Sequence, residues 1–280
     1  MGKFTSVLLA SDFDNTLIYT EDALRAGAPA PPLPEQNREA LTYFMAQGGR
    51  FAISTGRALA AFLKYAELVP MNAPGVVCNG AALYDFETGE YLETSLLDQS
   101  ALERGQAVLD RFPAAAVEAY HIGNVIHAVH PNAFTRRHQH LTRVAVTEAP
   151  SLLSVPLPLG KLLFEAEHDT LEEIVAFLRE RGWDGDYELI FSGQTLLEMT
   201  VKGANKGGMV RRLAGRLGIS MEHVYCVGDE ANDVSMLTAA REGFAPANCV
   251  PLVRSCGATI VRDAREGALA DVVEILDRRY

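Results

Sequence analysis

No apolar run in the 280-residue chain approaches the ~18 residues that a membrane-spanning helix needs. The longest candidates are broken by Pro156, Pro158 and Gly160. No secretory signal is expected either. Val7–Ala10 is too short for an apolar h-region and runs straight into Asp12. The start Met1-Gly2-Lys3-Phe4-Thr5-Ser6 fits the loose N-myristoylation pattern, but a buried strand beginning near Ser6 leaves a lipid little tether, so the pattern is discounted. Cysteine is scarce: four residues (Cys78, Cys226, Cys249, Cys256) with no C-x-x-C pair. Cys78 and Cys226 end apolar runs, where cysteine behaves as a small buried hydrophobe. The reading is four reduced thiols in a cytoplasmic protein, without a zinc site. Positive charge is also short, with 25 Lys and Arg against 36 Asp and Glu and a net charge of −11. Nucleic acid and anionic membranes are therefore not expected as partners.

What is present is ample apolar material, 48% of the residues, enough for a sizeable core. Short apolar runs alternate with helical patterns in the first part. Strands are expected at Ser6–Ala10, Arg50–Ile53 and Gly75–Cys78, and helices at Glu35–Gln47 and Ala58–Leu68. Continuous apolar strands between helices mean a parallel sheet covered on both faces. The rhythm changes near Tyr84. A hairpin turn at Asp85–Glu90 is followed by strand-like stretches at Ala115–Tyr120, Val125–Val129, Lys161–Ala166, Tyr187–Phe191 and Leu196–Thr200. Helical patterns at Gln99–Arg111 and Thr170–Arg181 intervene. From Asn205 the first rhythm returns, with helices at Lys206–Leu217 and Glu230–Ala239 around a strand at His223–Val227. The fold class is α/β. A doubly wound, Rossmann-like parallel sheet spans residues 1–83 and 199–280, and an α+β domain is inserted at 84–198.

Ligands of such sheets bind beyond the carboxyl ends of the strands. Four polar clusters fall there: Asp12-Phe13-Asp14-Asn15-Thr16, Ser54-Thr55-Gly56-Arg57, Asn79-Gly80 and Gly228-Asp229-Glu230-Ala231-Asn232-Asp233. Lys206 starts a helix feeding the same sheet. Asp12, Asp14 and Asp229 are oxygen donors suited to Mg²⁺. Thr55, helix-start N–H groups and Lys206 are phosphate-binding groups. Asp12 serves as a nucleophile only toward a strongly electrophilic centre such as a clamped phosphoryl group. Asp14, two residues on, is placed to protonate a leaving oxygen and then deprotonate water.

Asp12-Phe13-Asp14-Asn15-Thr16-Leu17, Ser54-Thr55-Gly56-Arg57, Lys202-Gly203-Ala204-Asn205-Lys206-Gly207 and Gly228–Asp233 resemble the four ordered motifs of the haloacid dehalogenase (HAD) superfamily. Asn79-Gly80-Ala81 and the following hairpin resemble its Cof-type subfamily with a type II-B cap. The resemblance covers essentially the whole chain. It implies Asp12 as nucleophile and Mg²⁺ ligand, and Asp14 as general acid/base with its backbone carbonyl on the metal. It implies Thr55 on the phosphoryl group, Lys206 neutralising phosphate and nucleophile, and Asp229 on the metal. Asn232 and Asp233 would support metal and lysine; Gly56, Arg57 and Asn79 would face substrate; and 84–198 would be the cap. The implied function is Mg²⁺-dependent hydrolysis of a small soluble phosphomonoester, a sugar phosphate among the candidates, through an aspartyl-phosphate. A phosphotransferase or phosphomutase of the same fold shares these motifs. A non-turnover phospho-acceptor switch module also combines clustered Asp with Lys, but needs no 115-residue insert.

Two departures from the family pattern stand out. Asn15 replaces the commoner glycine, and asparagine tolerates left-handed backbone. The stretch from Tyr19 to Pro34 is long; it is read either as brushing the active-site mouth or, in preference, as plain loop. Five histidines (His121, His127, His130, His138, His140) crowd one part of the insert, at strand positions that match no known metal-ligand spacing. Arg136, Arg137 and Arg143 beside them fit an anion-recognising patch and a solvated helix face equally. The insert carries 19 acidic and 8 basic side chains, so the chain's whole acidic excess lies there. Its acids are expected to face outward. The motifs do not speak to oligomeric state or exact substrate.

Overall fold

The computed structural model describes residues 2–123, 125–142 and 144–280. Arg143 lies outside them. The chain opens with β1 (Leu8–Ser11), α1 (Glu21–Arg25), α2 (Glu35–Ala46), β2 (Arg50–Ile53), α3 (Leu59–Ala66), β3 (Gly75–Val77), β4 (Ala82–Asp85) and β5 (Glu90–Thr94). Its middle holds α4 (Gln99–Arg111), β6 (Ala116–His121), β7 (Ile126–Val129), α5 (Ala133–Thr142), β8 (Thr147–Glu148), β9 (Leu159–Glu165), α6 (His168–Glu180), β10 (Tyr187–Gly193) and β11 (Leu196–Val201). It closes with α7 (Lys206–Arg216), β12 (Val224–Val227), α8 (Val234–Ala239), β13 (Glu242–Pro246), α9 (Pro251–Ser255), β14 (Thr259–Val261) and α10 (Ala268–Arg279). Two compact units result. One comprises the residues through Gly56, Tyr65–Leu92 and Lys206–Tyr280; the other comprises Arg57–Lys64 and Glu93–Asn205.

The first unit is built on a parallel sheet of order β14-β13-β12-β1-β2. Its strands are apolar because both faces are covered. Leu8 and Ala10 of β1 join Val224 and Cys226 of β12 on one face. They pack against Met209, Val210 and Leu213 of α7 and Met236 and Leu237 of α8. Alternation sends Leu9 and Tyr225 to the opposite face. There the Tyr225 ring lies 6.3 Å from that of Tyr280, at the end of α10, and α10 packs on α2. A smaller sheet, β3-β4-β5, keeps residues through Leu92 with this unit. The doubly wound α/β core is thus present.

The second unit is a six-stranded sheet of order β10-β11-β9-β6-β7-β8, antiparallel except for β7–β8. One face is apolar. Val117, Ala119, Leu162, Phe164, Leu197 and Met199 pack with Leu102 and Leu109 of α4 and Leu171, Ile174 and Leu178 of α6. The other face is polar. Register places Glu118 opposite Leu163, Tyr120 opposite Lys161 and Glu198 opposite Leu163, so these side chains share it. Lys161 Nζ donates to Glu198 Oε2 at 2.9 Å and sits 4.7 Å from the Tyr120 ring centre.

Three local differences from the sequence reading have physical causes. No apolar pattern marked helix α5, which the sequence offered only as a solvated face for its arginines, because its interior-facing residues are polar: Thr135 is buried and His138 bonds the sheet. The expected helix at Glu230–Ala239 opens as a 3₁₀ turn, Ala231–Asp233, because Glu230 and Asp233 cap each other's backbone. The long loop after Tyr19 contains the short α1. The insert's acids are exposed or half-buried except Glu118, Glu165 and Glu198, which are buried. The four cysteines are free thiols. Among the described residues, no helix is long and apolar enough to cross a membrane.

Leu213 is fully buried at the α7–sheet contact. Leu213→Ala is expected to cost about 2–5 kcal/mol. The check is urea denaturation followed by circular dichroism, with a lower midpoint and an unchanged slope as the expected result.

Candidate active site

β1 and β12 are parallel neighbours, so their carboxyl ends open onto one rim. The pairing continues past the strands, where the Asp12 N–H donates to the Val227 carbonyl at 2.8 Å. Asp12 therefore stands beside the loop that carries Asp229 and Asp233. On its other side, the Ser54 N–H donates to the Ser11 carbonyl at 2.8 Å, and the Thr55 N–H to the Val76 carbonyl at 2.9 Å. The Asn79 N–H then donates to the Thr55 carbonyl at 3.1 Å. Asp12, Thr55, Asn79 and Asp229 thus follow the ends of β1, β2, β3 and β12.

Lys206 is the first residue of α7. Two glycines let it reach the rim. A Cβ on Gly207 would sit 2.1 Å from the Ser235 carbonyl oxygen, so only glycine lets α7 approach α8 this closely. A Cβ on Gly228 would lie 2.4 Å from the Asp233 Cβ. Lys206 Nζ donates to Asp12 Oδ1 and to Asp233 Oδ1, each at 2.6 Å. Asp233 Oδ2 accepts the N–H groups of Asp229 at 2.9 Å and Glu230 at 3.0 Å. Asp233 therefore clamps the lysine with one oxygen and the loop with the other. By contrast, Lys202 Nζ lies 3.6 Å from Glu188, within the second unit.

Two threonines without an assigned role in the sequence complete the arrangement. The Thr16 hydroxyl donates to Asp229 Oδ1 at 2.6 Å, and the Thr20 hydroxyl donates to Asp14 Oδ1 at 2.6 Å. Thr16 stands in the first motif, but nothing in its spacing marks Asp229 as its partner. Thr20 lies in the stretch read as plain loop. Asn15 explains how that stretch returns. At φ 55° it turns the chain, and its Oδ1 accepts the N–H groups of Thr20 and Glu21 at 3.1 and 3.0 Å. Asn232 Nδ2 donates to Asn79 Oδ1 at 2.9 Å. Asn79 Nδ2, Asn232 Oδ1 and Ser54 Oγ are buried without a hydrogen-bond partner. Gly56 ends its stretch of the first unit, and Arg57 belongs to the second.

The electrostatics follow from crowding. Burial pushes the Asp12 carboxyl up to about 7; Lys206 pulls it down, while Asp233 and Asp14 push it up further. Burial, then Asp12 and Asp233, hold Asp229 well above the usual carboxylate range, against the Thr16 hydrogen bond. Burial disfavours the Lys206 ammonium, but Asp12 and Asp233 outweigh it and raise its pKa. Asp12, Asp229 and Asp233 offer oxygens within 4.8 Å of one another. One lysine does not neutralise three carboxylates. The oxygen-only donor set and the surplus negative charge fit a hard divalent cation.

This crowding has a pH signature. With Asp12 raised from 3.8 to about 7, the folded chain holds a proton that the unfolded chain has already released. With EDTA present, the stability from Asp12 is complete below pH 3.8 and lost as pH rises through about 7. Asp12→Asn is expected to flatten the fall in urea midpoint between pH 5 and pH 8. Equal slopes in the two proteins would contradict this account.

The comparisons with known proteins agree with the geometry. The profile of the family described as haloacid dehalogenase-like hydrolase matches residues 9–273. The putative phosphatase YxeH of Bacillus subtilis (strain 168) is 25% identical over an alignment of 288 positions that covers 96% of this chain and 97% of that protein. The pyridoxal phosphate phosphatase YbhA of Escherichia coli (strain K12) is 23% identical over 278 residues, covering 96% and 98%. Among solved structures, the HAD subclass IIB sugar phosphatase BT4131 superposes with a TM-score of 0.80 at 19% identity, covering 97% of this chain and 99% of that one. The chain belongs to the haloacid dehalogenase-like hydrolases and is an enzyme of their phosphatase branch.

Proposed function

We propose that the protein hydrolyses a small soluble phosphomonoester, using Asp12 as nucleophile in a Mg²⁺-dependent reaction. The carrying observation is the buried Lys206 ammonium, bonded to both Asp12 and Asp233 at 2.6 Å beside Asp229. When bound by Asp12, Asp229 and the Asp14 carbonyl, Mg²⁺ would supply the charge that keeps Asp12 and Asp229 ionised and draws in a phosphate oxygen. Asp12 attacks phosphorus and forms an aspartyl-phosphate, as the ester oxygen leaves with a proton from Asp14. Water then attacks the same phosphorus and gives its proton to Asp14, releasing phosphate and restoring Asp12. Lys206 balances the charge on Asp12 and the transferring group, and Asp233 holds Lys206 in place. Thr20 positions Asp14. Thr55 and Asn79 bind phosphoryl or substrate oxygens, with the unpartnered Asn79 amide as a donor in hand, and Asn232, whose own amide bonds Asn79, supports metal and lysine from the edge of the site. Gly56 and Arg57 complete the substrate contacts, and residues 84–198, as a cap, select the substrate. The small phosphate ester named for the relative YbhA supports this class, the chain's acidic balance suits a small-molecule substrate over nucleic acid, and four free thiols suit a cytoplasmic enzyme.

The test is phosphate release from a panel of phosphorylated metabolites, with Mg²⁺ and with EDTA, and with no acceptor sugar present. Turnover that needs Mg²⁺ is expected. Asp12→Asn should abolish turnover and phosphoenzyme formation, and Lys206→Ala should lower kcat by at least ~10²-fold. Full activity of Asp12→Asn would overturn the mechanism. Transfer only in the presence of an acceptor would make the protein a phosphotransferase, and a long-lived phosphoenzyme without turnover would make it a switch.

A further inference from the structure

The polar face of the second unit's sheet holds a cluster that phosphate chemistry does not use. Glu118 on β6, Glu165 at the end of β9 and His138 on α5 bring three donor atoms within 4.8 Å of one another. His138 Nδ1 lies 2.9 Å from Glu118 Oε2 and 3.3 Å from Glu165 Oε1. The two glutamates are 1% and 0% exposed. Glu118 is supported from outside the cluster: the Tyr120 hydroxyl donates to its Oε2 at 2.6 Å, and Gln139 Nε2 reaches its Oε1 at 3.4 Å. Glu165 is not. Neither of its carboxylate oxygens accepts a hydrogen bond, although the side chain is wholly buried and aimed at the imidazole.

Charge and spacing both point to a missing cation. Two carboxylates and a protonated imidazole leave one buried negative charge. Two carboxylates, a neutral imidazole and a divalent ion leave none. Ligand atoms about 2.1 Å from a metal stand roughly 3.0 Å apart on an octahedral edge and roughly 3.4 Å apart on a tetrahedral one. The 3.3 Å separation from Glu165 lies in this range, and the 2.9 Å separation from Glu118 lies just below it. One imidazole nitrogen with carboxylate oxygens suits Zn²⁺ or Mn²⁺ better than Mg²⁺ or Ca²⁺.

We propose that Glu118, His138 and Glu165 form a second cation site, which takes a divalent transition-metal ion and ties α5 to β6 and β9. The site is made of other residues than the carboxylates at the ends of β1 and β12, and does not depend on the phosphatase reading. Burial disfavours the charged imidazole of His138, but the Glu118 hydrogen bond and the charges of Glu118 and Glu165 outweigh it and push its pKa up to about 9.

The test is a Co²⁺ titration of the full chain carrying Asp229→Asn, which disables the first carboxylate cluster. One Co²⁺ per chain is expected at pH 7. Glu165→Gln and His138→Ala should each weaken uptake by roughly 100-fold or more, since even groups supporting a ligand are worth 10–100-fold. No uptake, or uptake that neither variant weakens, would overturn the site. Should the variants not fold, the imidazole resonances of the Asp229→Asn chain decide. Co²⁺ must shift or broaden those of His138, and an unperturbed His138 would overturn the proposal as firmly.

Discussion

A lysine ammonium with no route to water must be matched by carboxylates, and Lys206 is matched by two. Its bonds to Asp12 and Asp233 set the geometry of the rest of the rim. Removing one partner of such a buried pair costs about 3–5 kcal/mol, because the remaining charge is stranded. The pair is therefore a structural commitment as well as a chemical one. Asp233 shows this most clearly, since its second oxygen holds the Asp229 and Glu230 amides. The lysine, the loop after β12 and the carboxylate of Asp12 are fixed as one network. Gly228 is a glycine because Asp233 leaves no room for a Cβ, and Gly207 is one because the α8 backbone at Ser235 leaves none.

The network still carries surplus charge. Asp229 lies with Asp12 and Asp233 in a buried cluster of oxygens, and its carboxyl is held well above the usual range. Thr16 takes up one Asp229 oxygen, but a neutral hydroxyl does not supply charge. The arrangement is stable with protons or with a cation, and the two alternatives compete. A phosphate ester arriving with a cation changes that balance locally, at the atom that would become the nucleophile. The same crowding that costs stability at high pH thus prepares the site for an anionic ligand and its counterion.

Much of this was legible in the chain. Continuous apolar strands and interleaved helices announced the parallel sheet, and the carboxyl-end rule put Asp12, Thr55, Asn79 and Asp229 on one rim. Spacing alone could not bring Lys206 to Asp12, 194 residues away. The ordered motifs made that connection. Thr16 and Thr20 were not legible as partners, because a threonine hydroxyl leaves no periodic trace and its partner is set by loop geometry. Thr20 in particular reaches Asp14 only because Asn15 turns left-handed and holds two N–H groups of the returning loop. Helix α5 escaped for a related reason. Pattern reading seeks an apolar stripe, and α5 presents histidine and glutamine to the sheet.

That polar contact is itself informative. A sheet face that needed only stability would be filled with leucine and valine, since apolar isosteres of buried ion pairs are commonly neutral or stabilising. The apolar face of the same sheet is built that way, from Val117, Ala119, Leu162 and Phe164. Its polar face instead buries Glu118, Lys161, Glu165 and Glu198. Lys161 and Glu198 balance one another at 2.9 Å. Glu118 and Glu165 share a single imidazole and fall one charge short. Two faces of one sheet, made from the same strands and alternating residue by residue, therefore follow different rules. The apolar face is explained by packing. The charge of the polar face balances once a positively charged occupant is counted among its parts.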